Sequence, residues 1–203
     1  MIIQSHDVKK LIPVIDNLSV DMIFVDIDDT LIKYQHYTCR SSWFNNFIEQ
    51  YGEERIHKIK NRTECAEKSD IVAVSEALND WLMQKGSVIP LFALTNKRVA
   101  EHHYAESWRN ELGISFTKIP GEELFEYNGT KIMKEGIIYC GYNTMTGGFQ
   151  NSKGGVIEHF LKELEQGNFD SMSKPRSILF VDDVLYNLEM VQKACENVNR
   201  PLA

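Results

Sequence analysis

The stretch that decides the fold is Met22-Ile23-Phe24-Val25-Asp26-Ile27-Asp28-Asp29-Thr30-Leu31-Ile32. Its first four residues are apolar, and three carboxylates follow within the next four positions. A short continuous apolar run is typical of a strand that is buried on both faces of a parallel sheet. Carboxylates are costly to bring together unless a cation neutralises them, so the end of this strand is predicted to be a cation site.

Two other apolar runs also end in polar residues, namely residues 88–94 before Thr95-Asn96 and residues 178–181 before Asp182-Asp183. A further short strand is predicted at residues 114–119, so that four buried strands alternate with helices. That alternation predicts an α/β fold with a doubly wound, mainly parallel, Rossmann-like sheet. Ligands bind such sheets at the carboxyl ends of the strands, where these polar residues lie.

The helices predicted from apolar spacing lie at residues 7–19, 70–85, 98–112, 153–164 and 185–195. Two segments are predicted as inserts. Residues 33–69 carry a charged and aromatic helical pattern, which predicts a small helical cap. Residues 122–150 contain the hairpin signal Asn128-Gly129 and a strand pattern at 136–141, which predicts a short β-rich insert. The core would then comprise residues 1–32 and 70–203.

Composition narrows the function classes. The chain has 203 residues, and 22 basic against 29 acidic residues give a net charge of −7 without a basic run, so nucleic acid is not expected as a partner. No apolar run is long enough to span a membrane and no signal peptide is visible, so we expect a cytoplasmic protein, with export after removal of a signal peptide left open. The four cysteines are scattered, which favours reduced, buried thiols over a zinc site.

The order of the polar motifs resembles one known family. The motifs are D-x-D-x-T-L at Asp26, Asp28, Thr30 and Leu31, then Thr95, then Lys153, then Asp182-Asp183. Together they resemble the haloacid dehalogenase-like superfamily over most of the chain, from residue 22 to about residue 195. The resemblance implies a Mg²⁺-dependent phosphatase core with small inserts that cover the site.

The resemblance also implies a role for each carboxylate. Asp26 would attack phosphorus and form an aspartyl-phosphate, while Asp28 would protonate the leaving alcohol and later deprotonate water. Mg²⁺ would be bound by the Asp26 carboxylate, the Asp28 backbone carbonyl and the Asp182 carboxylate, with assistance from Asp183. Asp29 is expected to be solvated or to form the turn, without a catalytic role.

Thr95, Asn96 and Lys153 are the residues implied to hold the phosphoryl oxygens. Taken alone, Thr95-Asn96 fits a helix cap at least as well, and Lys153 fits a solvated surface lysine. Asn187 is placed either to orient the acidic pair before it or to cap the last helix. Lys97, together with Arg98, is placed to contact substrate because it directly follows the second polar motif.

The function expected from these residues is hydrolysis of a phosphomonoester through an aspartyl-phosphate on Asp26. The substrate would be a small phosphorylated compound, with a phosphorylated macromolecule as a second class. The alternatives are transfer of the phosphoryl group to an alcohol, and a catalytically silent binding module of the same fold. A signalling receiver domain is disfavoured, because in that class the acidic pair comes first in the chain and the lysine last.

Overall fold

The fold is described by a computed structural model. It covers residues 2–5, 7–35, 49–51, 71–102, 105, 109, 112–143, 148–149, 151–169 and 172–199. The strands are, in chain order, β1 (Met22–Val25), β2 (Ile32–Tyr34), β3 (Ile71–Ala73), β4 (Leu91–Thr95), β5 (Glu126–Tyr127), β6 (Thr130–Lys131), β7 (Met133–Lys134), β8 (Ile137–Tyr139), β9 (Tyr142–Asn143), β10 (Gly148–Phe149) and β11 (Ile178–Val181). The α-helices with both ends among the described residues are α1 (Val8–Asp16), α2 (Glu76–Gly86), α3 (Lys153–Gln166) and α4 (Leu185–Asn197), with 3₁₀ turns at Val99–Glu101 and Glu122–Leu124.

The centre of the fold is a five-stranded sheet with the order β11-β1-β4-β8-β7. The strands β11, β1, β4 and β8 run parallel to one another, and β7 is antiparallel to β8. The predicted α/β class with a mainly parallel sheet is therefore confirmed. The strand ends that carry the polar motifs belong to three adjacent strands, since β1 pairs with both β11 and β4.

Both faces of the sheet are covered by apolar side chains, as the continuous apolar runs predict. On one face Phe24 lies 5.6 Å from Phe92 between ring centroids, and Phe160 of α3 packs edge-on against Phe24 at 5.7 Å. On the other face Ile23 and Leu82 belong to the cluster that also includes α1. Burial of one such side chain is worth about 1.5–3 kcal/mol, so the two faces together hold β1 at the centre.

The strand predicted at residues 114–119 is wrong, because these residues form no strand. They run beside the start of β4, where the Thr117 N–H donates to the Leu91 carbonyl and the Thr117 hydroxyl accepts from the Leu91 N–H. β1 pairs with one edge of β4, and β8 pairs with the other edge from Ala93 to Thr95. The alternating apolar residues of this segment are buried without entering the sheet.

The predicted β-rich insert contributes to the central sheet instead of standing apart from it. The strand predicted at residues 136–141 is β8, which pairs in parallel with β4. The turn before β8 has positive φ at both Glu135 and Gly136, and a Cβ at Gly136 would lie 2.6 Å from the Thr117 carbonyl oxygen. The hairpin signal Asn128-Gly129 forms the predicted tight turn between β5 and β6.

Most of the predicted helical cap, residues 36–48 and 52–70, lies outside the described residues. Its two ends are joined by β2 and β3, which pair antiparallel with Ile32 opposite Ala73. The predicted helix at residues 70–85 is therefore wrong at its start: β3 comes first, and α2 begins after Ser75, whose hydroxyl caps the Leu78 N–H. The β-branched Ile71 and Val72 favour the strand.

Cys140 and Cys195 are buried and free, as predicted. The same prediction for Cys39 and Cys65 falls outside the described residues. Among the described residues, no helix combines the length and apolar character needed to span a membrane.

Candidate functional site

Three adjacent strands bring their polar ends to one edge of the sheet. Val25 pairs with Val181, so Asp26 and Asp182 follow β1 and β11 at the same level, and the Asp26 N–H donates to the Val181 carbonyl at 2.9 Å. Thr95 is the last residue of the strand on the other side of β1. Asp26 is 6% exposed, so it has little water to solvate its charge. The predicted meeting of the strand ends is confirmed.

The Lys153 ammonium contacts two carboxylates at this edge of the sheet and neutralises part of their charge. Its Nζ lies 2.5 Å from Asp26 Oδ1 and 2.6 Å from Asp182 Oδ2, and the residue is 3% exposed. It is the first residue of α3, which is capped by the Ser152 hydroxyl. Gly154 lets this helix end approach α4, because a Cβ there would lie 2.5 Å from the Met190 carbonyl oxygen. Lys153 is therefore a buried site residue and not a surface lysine.

Thr30 joins two of the carboxylates. Its hydroxyl oxygen lies 3.2 Å from both Asp26 Oδ2 and Asp183 Oδ1, so it donates to one carboxylate at a time. The same oxygen accepts the Asp183 N–H at 3.1 Å. Asp29, with φ of 62°, forms the left-handed turn that brings Thr30 back toward Asp26. The expected turn role of Asp29 is thus confirmed, while sequence reasoning missed the contacts of Thr30.

Asp182 is held by a set of donors. The Val184 N–H donates to Oδ1 at 2.8 Å, and the Asn187 amide donates to Oδ1 and Oδ2 at 3.0 and 3.1 Å. Of the two roles predicted for Asn187, orientation of the acidic pair is the one that the contacts support. The side chain of Asp182 is completely buried, whereas Asp183 is exposed.

The environment disfavours the charged form of Asp26 and favours the charged form of Lys153. Burial raises the pKa of Asp26 to about 7; the Lys153 ammonium opposes this, and the carboxylates of Asp182 and Asp28 add to it. Burial alone would lower the pKa of Lys153, but the carboxylates of Asp26 and Asp182 outweigh burial and raise it. Asp183 is exposed as a residue, but its carboxyl group lies against Thr30, and desolvation of that group together with the Asp182 carboxylate raises its pKa. The lysine therefore keeps its proton, and Asp26 titrates close to neutral pH.

The second acidic motif residue, Asp28, lies apart from this cluster. Its Oδ1 accepts from Lys97 Nζ at 2.9 Å, and the Lys97 N–H donates to the Thr95 hydroxyl at 3.2 Å. The Thr95 hydroxyl is therefore used in a local turn, which is the capping behaviour weighed as the alternative for this residue. Asn96 lies half-buried between Thr95 and Lys97. Lys97 was expected at the site because it directly follows Thr95-Asn96, but its contact with Asp28 was not predicted.

The described residues contain one group of carboxylates that could hold a metal ion. One oxygen from each of Asp26, Asp182 and Asp183 lies within 4.8 Å of the others. Carboxylate oxygens suit hard divalent cations, so the donor set fits such an ion, but it does not identify Mg²⁺. The Asp28 backbone carbonyl stays a predicted ligand.

Comparison with known proteins corrects the family assignment. The family model that matches the chain is the one described as Protein of unknown function (DUF2608), over residues 4–202. No curated protein and no solved structure matches the chain. The assignment to the haloacid dehalogenase-like superfamily is therefore wrong. The motifs misled because polar residues at the ends of adjacent parallel strands meet in any sheet of this kind, whatever the family. The chain belongs to the family described as Protein of unknown function (DUF2608).

Proposed function

We propose that this protein is a Mg²⁺-dependent phosphomonoester phosphatase in which Asp26 takes up the phosphoryl group. The observation that carries the proposal is the buried Asp26 carboxylate, with the Lys153 ammonium 2.5 Å away, at the carboxyl end of a central parallel strand. A carboxylate attacks phosphorus only when it is ionised, and a neighbouring ammonium favours that form. The doubly wound, Rossmann-like interpretation of the sheet belongs to this proposal, since ligands bind such sheets at this edge.

The proposed reaction has two steps. First, an Asp26 oxygen bonds to phosphorus, the bond from phosphorus to the ester oxygen breaks, and that oxygen takes a proton from Asp28. Then water attacks the phosphorus of the aspartyl-phosphate and gives a proton to Asp28, which releases inorganic phosphate and restores Asp26. Thr95, Asn96 and Lys153 are the proposed donors to the phosphoryl oxygens.

The proposed ligands of Mg²⁺ are the carboxylates of Asp26, Asp182 and Asp183 and the backbone carbonyl of Asp28. When bound, Mg²⁺ would reduce the repulsion between the anionic nucleophile and the anionic phosphate. Lys153 and the Asn187 amide hold two of these carboxylates in place, which supports a site whose geometry is set before substrate binds.

The proposed substrate class is a small phosphorylated compound. The side chains of Asp28 and Lys97 are 21% and 24% exposed, so the groups proposed to face the leaving alcohol are reached from solvent. A carboxyl group and an ammonium that are both partly exposed at this point suit a polar leaving group. A phosphorylated macromolecule is the second class of substrate.

The test compares wild type with Asp26→Asn and Asp29→Asn on an aryl phosphate in Mg²⁺ and in chelator. Asp29→Asn is the matched control, since it makes the same chemical change three residues away at a positive φ that Asn tolerates. We expect wild type and Asp29→Asn to release phosphate in Mg²⁺ only, and Asp26→Asn to release none. Turnover by Asp26→Asn at the wild-type rate would rule out the covalent step.

The same assay separates the other expectations. An alcohol acceptor that becomes phosphorylated in place of water would identify a phosphotransferase. Turnover that survives the chelator would exclude the metal. If wild type released no phosphate from a panel of phosphorylated metabolites and phosphopeptides, the proposal would fail in favour of a binding module.

A further inference from the structure

A buried hydrogen-bond donor two residues before Lys153 is left without a partner among the described residues. The side chain of Asn151 belongs to a residue that is 4% exposed, and its Nδ2 has no hydrogen-bond partner among the described residues. Its Oδ1 accepts from the Asn128 amide at 3.0 Å, which fixes the orientation of the side chain. An unpaired buried amide donor costs about 1–3 kcal/mol, so a native protein seldom keeps one without a reason.

Two observations connect Asn151 with residues of the site. Its own N–H donates to the Cys140 carbonyl at 3.2 Å, and the Cys140 N–H donates to the Thr95 carbonyl at 2.8 Å. Two residues further along the chain is Lys153, whose ammonium contacts Asp26. Asn151 therefore stands between the end of β4 and the start of α3, on the side of Lys153.

The first turn of α3 adds donors beside Asn151. The Gly155 N–H is bonded to the Ser152 hydroxyl, and the Val156 N–H to the Ser152 carbonyl. The N–H groups of Lys153 and Gly154 precede them and have no partner within the helix. Backbone donors at a helix N-terminus, a buried ammonium and a buried amide donor together suit an anionic oxygen.

We propose that the Asn151 amide is a further binding residue of the site and donates from Nδ2 to a phosphoryl oxygen, beside the first turn of α3. This inference rests on the proposed function for the identity of the anion. It explains why Oδ1 is turned to Asn128: the hydrogen bond from the exposed hairpin leaves the NH₂ group, and not the carbonyl, for the ligand. A carbonyl facing the same space would repel an anion.

The experiment measures binding of inorganic phosphate to the full chain in Mg²⁺ by titration calorimetry. Asn151→Asp is the decisive variant, because it keeps the size of the side chain and the oxygen that accepts from Asn128 but lacks the donor. Asn151→Ala removes the side chain without adding charge, and Asn128→Ala removes only the group that orients it. We expect phosphate affinity to fall at least about tenfold in both Asn151 variants, and less in Asn128→Ala.

A merely structural role for Asn151 predicts a different pattern. It would lower the melting temperature of the variants but leave the phosphate-induced rise in melting temperature as large as in wild type, and that result would overturn the inference. Wild-type phosphate affinity in Asn151→Asp, or no phosphate binding by wild type, would overturn it as well. The outcome is separable from the proposed function: if Asp26→Asn kept wild-type turnover, the covalent mechanism would fail, while phosphate binding could still depend on Asn151.

Discussion

Replacement of Asp26 by Asn should stabilise the metal-free protein above neutral pH. Burial raises the pKa of Asp26 in the folded protein to about 7, whereas an exposed aspartate in the unfolded chain has a pKa near about 3.9. The folded state therefore binds more protons than the unfolded state between these values. It follows that the contribution of Asp26 to stability falls as pH rises from about 4 to about 7, and stays low above that.

The size of the effect follows from the two pKa values. A difference of about three units corresponds to about 4 kcal/mol at about pH 8, and to only about 1–2 kcal/mol at about pH 5. Asn resembles the neutral acid at every pH and keeps an oxygen for the Lys153 ammonium. Its NH₂ group can donate to the Thr30 hydroxyl, which lies 3.2 Å from Asp26 Oδ2. The stability advantage of Asp26→Asn should thus grow by about 2–3 kcal/mol between the two pH values.

Urea unfolding in chelator at about pH 5 and about pH 8 measures this difference, because the two proteins differ only at residue 26. Asp29→Asn serves again as control and should show no such growth. A difference between wild type and Asp26→Asn that is independent of pH would refute the reasoning. So would a variant that is less stable than wild type at the higher pH.

Two further substitutions test the packing and charge of the site. Lys153→Met should destabilise the protein by about 3–5 kcal/mol near neutral pH, since it leaves Asp26 and Asp182 buried without their cation; thermal unfolding measures this, and an unchanged melting temperature would contradict it. Gly154→Ala should cost about 1–3 kcal/mol, because its Cβ would lie 2.5 Å from a backbone oxygen of α4. Gly155→Ala meets a movable tyrosine hydroxyl instead, so a larger loss there in urea unfolding would contradict the argument.

The parts of this fold that could be predicted are those that depend on local pattern. The runs that form β1 and β11 are continuous and apolar because both of their faces are buried, and Asn128-Gly129 forms its hairpin because both residues tolerate positive φ. The choice of β8 over residues 114–119 as the neighbour of β4 was not predictable in this way. Residues 114–119 alternate apolar residues and β8 is a continuous apolar run, so both favour a strand, and the decision depends on which of them pairs along the edge of β4.

For the site, too, only the features that depend on local sequence pattern were predictable. The ends of the apolar runs identified Asp26 and Asp182 as site residues. The residues that hydrogen-bond these carboxylates lie elsewhere in the chain or on a turn. Thr30 belongs to the first motif, but the motif does not predict its hydrogen bonds with two carboxylates, and the buried donor of Asn151 is evident only from a missing partner. The family could not be inferred from strand-end residues, because those residues describe a type of sheet edge and not a lineage.

The charges of the site affect both the stability of the protein and its proposed affinity for ligands. Asp26, Asp182 and Asp183 would carry three negative charges against the single positive charge of Lys153, which leaves an excess of two when all are ionised. Burial first, and then the neighbouring carboxylates, raise the pKa of Asp26 and of Asp183, so the ionised cluster is unfavourable in the folded protein. A divalent cation would cancel the excess, and the cluster would then present little net charge to an approaching phosphate. The groups that destabilise the ligand-free site are thus the same groups that would give it affinity for a cation and, through the cation, for an anion.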